Sequence, residues 1–244
     1  MSDEPIPAAT LVVVRDRPAG PPELLMVERA AGMAFAGGAL VFPGGRIDQA
    51  DHEGQGDLAD GPARVAAIRE TIEETAIPVG LAPLPTVDQA LAMQSALVAD
   101  EPFAAVLGAL QLDPAALTPL ARWLPNFHVT RRFDTLFFIA QAPDGEWQPN
   151  VIPGECSGAF WLTAADALER ERSGAARLIF PTRRNLERLA QHGSFEAMRA
   201  DALAHAIEPI TPWVEEQDGE RFIVIPDKLG YPVTREKLDG LWRG

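Results

Sequence analysis

The sequence predicts an α+β fold, in which helices pack on a mixed β-sheet. Two observations indicate this class: short β-branched segments occur both early and late in the chain, and helical segments lie between and after them. The strands and helices do not alternate regularly, so a parallel sheet built from βαβ units is not expected. With 244 residues, of which 47% are hydrophobic, the chain can bury a sizeable core, and we expect one domain over residues 1–244.

The first segments predict a β-hairpin followed by a glycine-rich stretch. Residues 9–16 (ATLVVVRD) and 23–30 (ELLMVERA) are short, largely apolar runs separated by a Pro/Gly turn, so we expect two paired strands. A short strand at residues 39–42 then leads into the sequence PGG at 43–45. Residues 48–61 are acidic and small, which indicates an exposed loop.

A helix is predicted to follow that loop and to end near Ala76. Asp60 or Gly61 can cap its start, and Pro62 occupies the first turn, where proline is favoured. Pro78 stops the helix.

The rest of the chain alternates between helical and strand character. Residues 83–122 are rich in Ala, Leu and Pro, which predicts a helical insert of two or three short helices. The later predicted elements are strands at residues 131–142, 157–162 and 220–232, and helices at residues 163–174 and 181–193. Arg183 and Arg184 open the last of these helices, where cations are disfavoured, so they hint at a bound anion or an acidic partner.

The composition excludes some classes of partner. The formal net charge is −14 at pH 7, and such a surface repels nucleic acid and anionic membranes, so we expect neither as a partner. The single cysteine, Cys156, permits no disulfide within the chain, which is typical of a reducing compartment. The first residues do not have the pattern of a signal peptide, and no apolar run reaches the roughly 18 residues of a membrane span. We therefore expect a cytoplasmic protein.

Three glutamates share one side of the helix at residues 61–76. At about 100° per residue, Glu74 lies about 40° to one side of Glu70 and Glu73 about 60° to the other. Arg69 is four residues before Glu73 and can pair with it. A solvated acidic face is one interpretation. Clustered carboxylates with little cationic compensation also suit a hard divalent cation such as Mg²⁺, which prefers oxygen ligands.

Gly45 followed by RETIEETAI at residues 69–77 resembles the signature of the Nudix hydrolases. In that signature a glycine and an acidic residue precede Arg-Glu-aliphatic-x-Glu-Glu-x-Gly-aliphatic. The resemblance implies the Nudix fold, a mixed sheet sandwiched between helices. It also implies hydrolysis of a diphosphate linked to another moiety, with Mg²⁺ or Mn²⁺ as cofactor and a nucleoside diphosphate derivative as substrate.

The chain departs from this signature at three points. Thr71 stands at the first aliphatic position and Ala76 at the final glycine. The segment between the first glycine and the arginine is about ten residues longer than usual. Asp51 or Glu53 could occupy the place of the first acidic residue.

The resemblance also implies roles for individual residues. The metal would be held by Glu70, Glu73 and Glu74, with the backbone carbonyl of Gly44 or Gly45 as an additional ligand. Arg69 belongs to the same catalytic set. The general base is either a glutamate of the signature or an acid from a distant loop, for which Glu155 is a candidate, although it is equally compatible with an exposed loop acid.

Four arginines are candidate phosphate ligands, because the guanidinium group matches phosphate oxygens. They are Arg29, Arg46, Arg131 and Arg132. Ion pairs with the many carboxylates of the chain are the alternative for each of them.

Several further segments are similar to the coenzyme A diphosphatase branch of the family. They are LLMVERA, FAGGALVFPGGRID, RRFDTLFFIA, WLTAADAL and PTRRNLERLA. This similarity implies cleavage of CoA or acyl-CoA to 3′,5′-ADP and 4′-phosphopantetheine or its acyl derivative. Two alternatives stay open, a diphosphatase for ADP-ribose, nucleotide sugars or dinucleotides, and a nucleotide-binding module without activity. The insert at 83–122 could shape a pocket for an acyl or pantetheine arm, contact a second copy in a homodimer, or pad the core.

Overall fold

The computed structural model describes residues 4–32, 36–53, 57–125, 132–154 and 156–238. The strands are β1 (Ile6–Arg15), β2 (Glu23–Arg29), β3 (Leu40–Val41), β4 (Gly44–Arg46), β5 (Leu81–Ala82), β6 (Gln111–Leu112), β7 (Thr118–Trp123), β8 (Phe133–Gln141), β9 (Cys156–Thr163), β10 (Pro209–Ile210), β11 (Trp213–Gln217), β12 (Glu220–Val224) and β13 (Arg235–Lys237). The helices are α1 (Gly61–Thr75), α2 (Val87–Val98), α3 (Phe103–Leu107), α4 (Ala164–Arg172), α5 (Phe180–Leu189) and α6 (Phe195–Ala204). No helix in these ranges is both long and apolar enough to span a bilayer.

The central sheet is mixed and is organised around β1. The strand order is β10-β7-β8-β1-β2-β3, with β4 paired to β1 and β9 paired to β2. Strand β1 runs parallel to β8 along one edge, and along its other edge it pairs antiparallel with β4 and then with β2. In this register Ala9 lies opposite Gly45, so the glycine pair extends the sheet beside the first half of β1.

Helices cover both faces of the sheet. Successive residues of a strand point to opposite faces, and here both sets of residues are apolar. Leu11 and Val13 pack with α1, α2 and α3 on one face. Val12 and Val14 pack with α4, α5 and α6 on the other. This arrangement confirms the predicted α+β class with a mixed sheet sandwiched between helices.

The predicted glutamate helix is confirmed as α1, with Asp60 at its start and Ala76 at its C-cap. Ala76 has a left-handed conformation with φ of 57°, and its N–H donates to the carbonyl of Ile72 at 2.8 Å. Glycine adopts this conformation most readily, which explains the glycine of the family signature at this position. Thr71 is fully buried, and its hydroxyl donates to the carbonyl of Ala67 at 2.7 Å, so a polar residue is tolerated at the aliphatic position.

The prediction of helices throughout residues 83–122 is wrong at its C-terminal end. Helices α2 and α3 form, but Thr118–Trp123 is strand β7 of the central sheet, between β10 and β8. Pro119 lies where the register with β8 shifts, which is how a sheet accommodates proline. The glycine pair, which was predicted to follow the strand at residues 39–42, lies in the separate strand β4 (Gly44–Arg46).

The cations at the start of α5 have acidic partners within the chain. Arg183 donates to Glu171 at 2.7 Å and to Glu236 at 3.0 Å. Arg184, which is almost fully buried, also donates to Glu236. The pairs with Glu236 join α5 to the C-terminal strand β13. Acidic groups of the chain itself, rather than a bound anion, therefore compensate the two arginines at this helix start.

A buried amide pair joins the insert to the C-terminal end of α1. The side chain of Gln94 on α2 is fully buried, and its amide donates to the backbone carbonyls of Glu73 at 3.1 Å and Asn150 at 2.9 Å. The Asn150 amide returns a hydrogen bond to the Gln94 carbonyl at 2.6 Å. The Asn150 backbone N–H donates to the carbonyl of Thr75 at 2.9 Å. These bonds satisfy carbonyls that every helix leaves unpaired in its last turn.

We expect Gln94→Ala to lower the free energy of unfolding by about 2–4 kcal/mol, because buried carbonyls lose their donor and a cavity forms. Urea denaturation of the purified protein measures this change. The matched control is Ser95→Ala on the exposed side of the same helix, for which we expect a change below about 0.5 kcal/mol. Equal effects of the two substitutions would contradict a structural role for the amide pair.

Candidate functional site

Strand β4 and helix α1 meet at a contact that only glycine permits. The carboxylate of Glu70 lies directly on Gly45, since a Cβ atom built there would stand 2.4 Å from the carboxyl carbon. Gly44 has φ of 154°, and a Cβ atom at this position would stand 2.4 Å from the carbonyl oxygen of Ala9. The Gly44 N–H donates to Glu74 Oε2 at 3.0 Å. The glycine pair therefore lets two carboxylates of α1 approach the sheet.

The two carboxylates at this contact are poorly hydrated. Burial raises the pKa of Glu74 to about 8, and the neighbouring charge of Glu70 adds to this effect. Burial also raises the pKa of Glu70 to about 7, against the opposing charge of Arg69. The thiol of Cys156 donates to Glu74 Oε1 at 3.6 Å. Carboxylates that resist ionisation in this way create a site that favours a cation.

Arg69 holds the glutamates in position and is itself held by Asp51. Its guanidinium donates from Nε and Nη2 to the two oxygens of Asp51, at 2.9 and 3.0 Å. Nη1 donates to Glu70 at 2.9 Å and to Glu73 at 3.4 Å. Although burial opposes the charged form, the hydrogen bond to Asp51 and the charge of Glu70 raise the pKa of Arg69 above its ordinary value.

Asp51, rather than Glu53, is thus the acidic residue that faces the arginine. Its side chain is 1% exposed, whereas Glu53 is exposed to solvent. Asp51 also accepts the backbone N–H of Asp48 at 2.8 Å, so it closes the turn that follows β4. The sequence did not distinguish Asp51 from Glu53 as the acidic residue of the signature, because both lie in the same loop.

Most of the predicted site residues line one cavity of about 760 Å³. Those residues are Gly44, Gly45, Arg69, Glu70, Glu73, Arg29, Arg46 and Arg132. Glu74 is not one of the described residues that line this cavity, and its carboxylate accepts the N–H of Gly44. Arg29 is nonetheless close enough for its charge to oppose the rise in the Glu74 pKa. Two predicted site residues, Arg131 and Glu155, lie outside the described residues.

The carboxylates suit a metal that takes part of its coordination from elsewhere. Within the described ranges, no three His, Cys, Asp or Glu side chains are grouped closely enough to form a complete metal cage. The available donors are the hard carboxylate oxygens of Glu70 and Glu73, which line the cavity, and of Glu74, which is buried. Such donors fit Mg²⁺, which usually keeps several waters and binds one or two carboxylates together with substrate phosphates.

The cavity extends well beyond the glutamates, which the sequence did not indicate. Leu97 and Phe103 of the insert line it near α1, and Trp123 and Phe180 line it on the side of α5. Each of these residues matches an ordinary core position in the sequence. Only the pairing of strands distant in sequence brings them to the same cavity.

The comparisons with known proteins agree with this geometry. No model of a known protein family matches the sequence. The chain is 27% identical to the human acyl-coenzyme A diphosphatase NUDT19, over 82% of this chain and 69% of the relative. Its structure resembles the crystal structure of a NUDIX hydrolase from Alicyclobacillus acidocaldarius, with a TM-score of 0.70 and 30% identity over 80% of this chain and 96% of that one.

The resemblance drawn from RETIEETAI and the upstream glycines is therefore confirmed. The mixed sheet between helices is the Nudix fold, and the glutamate helix lies against the glycine pair at one wall of a large cavity. The chain belongs to the Nudix hydrolases, a family of enzymes that act on diphosphate bonds.

Proposed function

We propose that the protein is a Mg²⁺- or Mn²⁺-dependent diphosphatase that cleaves CoA or acyl-CoA to 3′,5′-ADP and 4′-phosphopantetheine or its acyl derivative. The observation that carries this proposal is the contact of Glu70 and Glu74 with the glycine pair, at the wall of a cavity that also contains three arginines. The similarity to a human acyl-coenzyme A diphosphatase supports the substrate class.

Three glutamates of α1 would hold the metal. They are Glu70, Glu73 and Glu74, and the carbonyl of Gly44 or Gly45 would add a ligand from β4. A bound divalent cation neutralises charge on the diphosphate and lowers the pKa of a coordinated water. In the hydrolysis, the water oxygen forms a bond to one phosphorus, and the bridging P–O bond breaks. The leaving phosphate keeps the bridging oxygen.

The protein's own groups orient the reactants. Arg69 fixes the carboxylates of Glu70 and Glu73, and Asp51 prevents the guanidinium from rotating away. Three arginines at the cavity wall would bind the diphosphate oxygens through charge-assisted hydrogen bonds, namely Arg29, Arg46 and Arg132. Arg131, next to Arg132 in the sequence, is proposed for the same role.

The base that takes the proton from the attacking water is either a glutamate of α1 or Glu155. Glu155 directly precedes Cys156, whose thiol contacts Glu74. This proximity in sequence supports Glu155 as a candidate from outside the helix.

A panel of substrates tests the proposed function. We expect purified protein with Mg²⁺ to convert CoA and acyl-CoA compounds to 3′,5′-ADP, detected by chromatography. ADP-ribose and NADH should react more slowly. The variants Glu73→Gln and Glu74→Gln should lose at least about a hundredfold in kcat, because a neutral amide is a poor Mg²⁺ ligand. Hydrolysis of ADP-ribose without hydrolysis of CoA compounds would reject the substrate assignment and keep the diphosphatase chemistry.

The Asp51–Arg69 pair predicts a difference between two acids of the same loop. We expect Asp51→Asn to lower kcat/KM by about 10- to 100-fold, because Arg69 loses the group that orients it toward Glu70 and Glu73. The matched control is Glu53→Gln, which removes a charge two residues away at an exposed position and should change kcat/KM less than about twofold. Similar losses in both variants would show that net charge matters rather than the ion pair.

The raised pKa values of Glu70 and Glu74 predict how metal binding depends on pH. Both values, about 7 and about 8, exceed 4.5, the ordinary value for glutamate, so folding favours the protonated carboxyls. Their stabilising contribution is complete at low pH and is lost as the pH rises through the folded-state values. We therefore expect the Tm of the metal-free protein to fall as the pH rises from about 4.5 to about 8, and to level off above that.

Excess Mg²⁺ should raise the Tm more at the upper end of this range, because the deprotonated carboxylates bind the cation. Differential scanning fluorimetry with EDTA or with Mg²⁺ measures both effects. Glu74→Gln removes one titrating group and should flatten the pH profile. A Mg²⁺ shift that is the same at both ends of the range would contradict this linkage.

A further inference from the structure

The floor of the cavity is a row of residues that crosses four strands. Ala8 on β1 lies opposite Arg46 on β4, and on its other side it lies beside Thr135 on β8. Thr135 lies opposite Trp123 on β7. Adjacent strands are about 4.8 Å apart, so the row spans about 14 Å from Arg46 to Trp123. All four residues line the cavity.

The polarity of the floor changes along this row. The end at β4 is charged, with Arg46 and the carboxylate of Glu70 beside the glycine pair. The middle carries the hydroxyls of Thr10 and Thr135, both half-buried. The far end, at Trp123 and Phe180, is aromatic. A ligand that lies along the row would therefore meet charged, then neutral polar, then apolar surface.

The far end, which we call the aromatic end, is formed by Trp123, Phe137 and Phe180. Trp123 meets Phe180 edge to face with ring centroids 5.8 Å apart, and it meets Tyr231 in the same way at 5.7 Å. The indole N–H donates to the Tyr231 hydroxyl at 3.2 Å, and that hydroxyl donates to Asn185 at 2.8 Å. Trp123 and Phe137 are almost fully buried, so they support the partly exposed ring of Phe180, which offers the apolar surface to a ligand. These contacts fix that surface before any ligand arrives, which reduces the entropy lost on binding.

We propose that the aromatic end binds the acyl chain of an acyl-CoA substrate, with the pantetheine arm lying over the two threonines. This inference rests on the proposed function and adds the direction in which the substrate lies. The pantetheine arm has two amide groups, which suit the threonine hydroxyls, and it ends in the thioester that carries the acyl chain. The acyl chain is apolar, as is the surface at the aromatic end.

The length of the row favours the acyl chain over the adenine base. About thirteen covalent bonds separate the pantetheine phosphorus from the sulfur, and an extended chain advances about 1.2 Å per bond, which gives about 16 Å. About six bonds, or about 7 Å, separate the nucleotide phosphorus from the base. With the diphosphate at Glu70 and Arg46, the thioester reaches the Trp123 end of the row, whereas the atom that joins the base to its ribose lies about halfway along it.

The proposal predicts a dependence of kcat/KM on acyl chain length. Burial of one methylene group is worth about 0.8 kcal/mol, or about fourfold in kcat/KM as an upper bound. We expect octanoyl-CoA to exceed acetyl-CoA and free CoA by at least about tenfold in the natural protein. Phe180→Ala should reduce this ratio about tenfold, because the variant loses the ring that borders the aromatic end.

Phe160→Ala is the matched control for Phe180→Ala. Both phenylalanines are partly buried at the edge of the same core cluster, and an arginine lies over each ring, at 5.2 Å for Phe160 and 5.0 Å for Phe180. Phe160 is not one of the described residues that line the cavity. We expect Phe160→Ala to change the octanoyl-to-acetyl ratio less than about twofold. A second test variant, Thr135→Phe, obstructs the middle of the row and should lower the ratio without removing an aromatic residue.

Two results would overturn the proposal while the proposed function stands. One is equal hydrolysis of free CoA, acetyl-CoA and octanoyl-CoA by the natural protein. The other is a loss in Phe180→Ala that is the same for all three substrates, as expected if the adenine base bound at the aromatic end.

A binding measurement keeps the inference testable if no CoA compound is hydrolysed, a result that would reject the proposed function. Isothermal titration calorimetry with octanoyl-4′-phosphopantetheine probes the row without the adenosine moiety. We expect this ligand to bind the natural protein and Phe160→Ala, and to bind Phe180→Ala at least about tenfold more weakly. Absence of binding to the natural protein, or equal binding to all three proteins, would reject an acyl site at the aromatic end.

Discussion

The contact between helix α1 and strand β4 is the constraint on which the site depends. Glu70 lies on Gly45, and Glu74 accepts the N–H of Gly44, at distances that leave no room for a side chain on either glycine. The contact brings two carboxylates out of water, so burial raises their pKa values and their ionised forms lower the stability of the fold. A protein that only needed a stable core would place apolar residues here, so the cost indicates selection for function.

Interactions in the middle and at the C-terminal end of α1 offset this cost. Asp51 and Arg69 form a bidentate ion pair that fixes the carboxylates of Glu70 and Glu73 from the side of the preceding loop. Gln94 and Asn150 satisfy the carbonyls of Glu73 and Thr75 at the C-terminal end. The helix therefore cannot shift along its axis without breaking one of the two sets of bonds. The proposed metal ligands need such support, because small displacements of a ligand lower its affinity for the metal.

The sequence predicted the parts of the molecule that local patterns determine. The glutamate helix, the first hairpin and strand β8 follow from apolar periodicity and from proline and glycine at element ends. The shared side of the three glutamates was predicted from helical spacing, since a helix fixes their relative directions. Their role as metal ligands came from the family resemblance and stays a prediction. The assignment of helix to Thr118–Trp123 failed because its composition resembles the preceding helices, and only pairing with β8 and β10 makes it a strand.

Other features of the site depend on tertiary structure and have no local signal. The choice between Asp51 and Glu53 was open in the sequence, because both lie within reach of Arg69 until the 3-10 turn at Gln49–His52 buries one of them. This turn also explains how the chain tolerates a lengthened loop. The segment from Gly45 to Asp51 stays short, and the additional residues lie after Asp51, where they do not alter its distance from Arg69.

In the proposed binding mode, the position of the aromatic end separates chemistry from specificity within one cavity. The glutamates lie at the edge of the sheet on β4 and α1, whereas Trp123 and Phe180 come from β7 and α5, three strand positions away. In the proposed binding mode, substitutions at the far end alter which substrate tail is accepted without moving the carboxylates, because the two ends lie three strand positions apart. A family built on one catalytic helix can therefore act on many diphosphate compounds, and the catalytic residues alone do not identify the substrate.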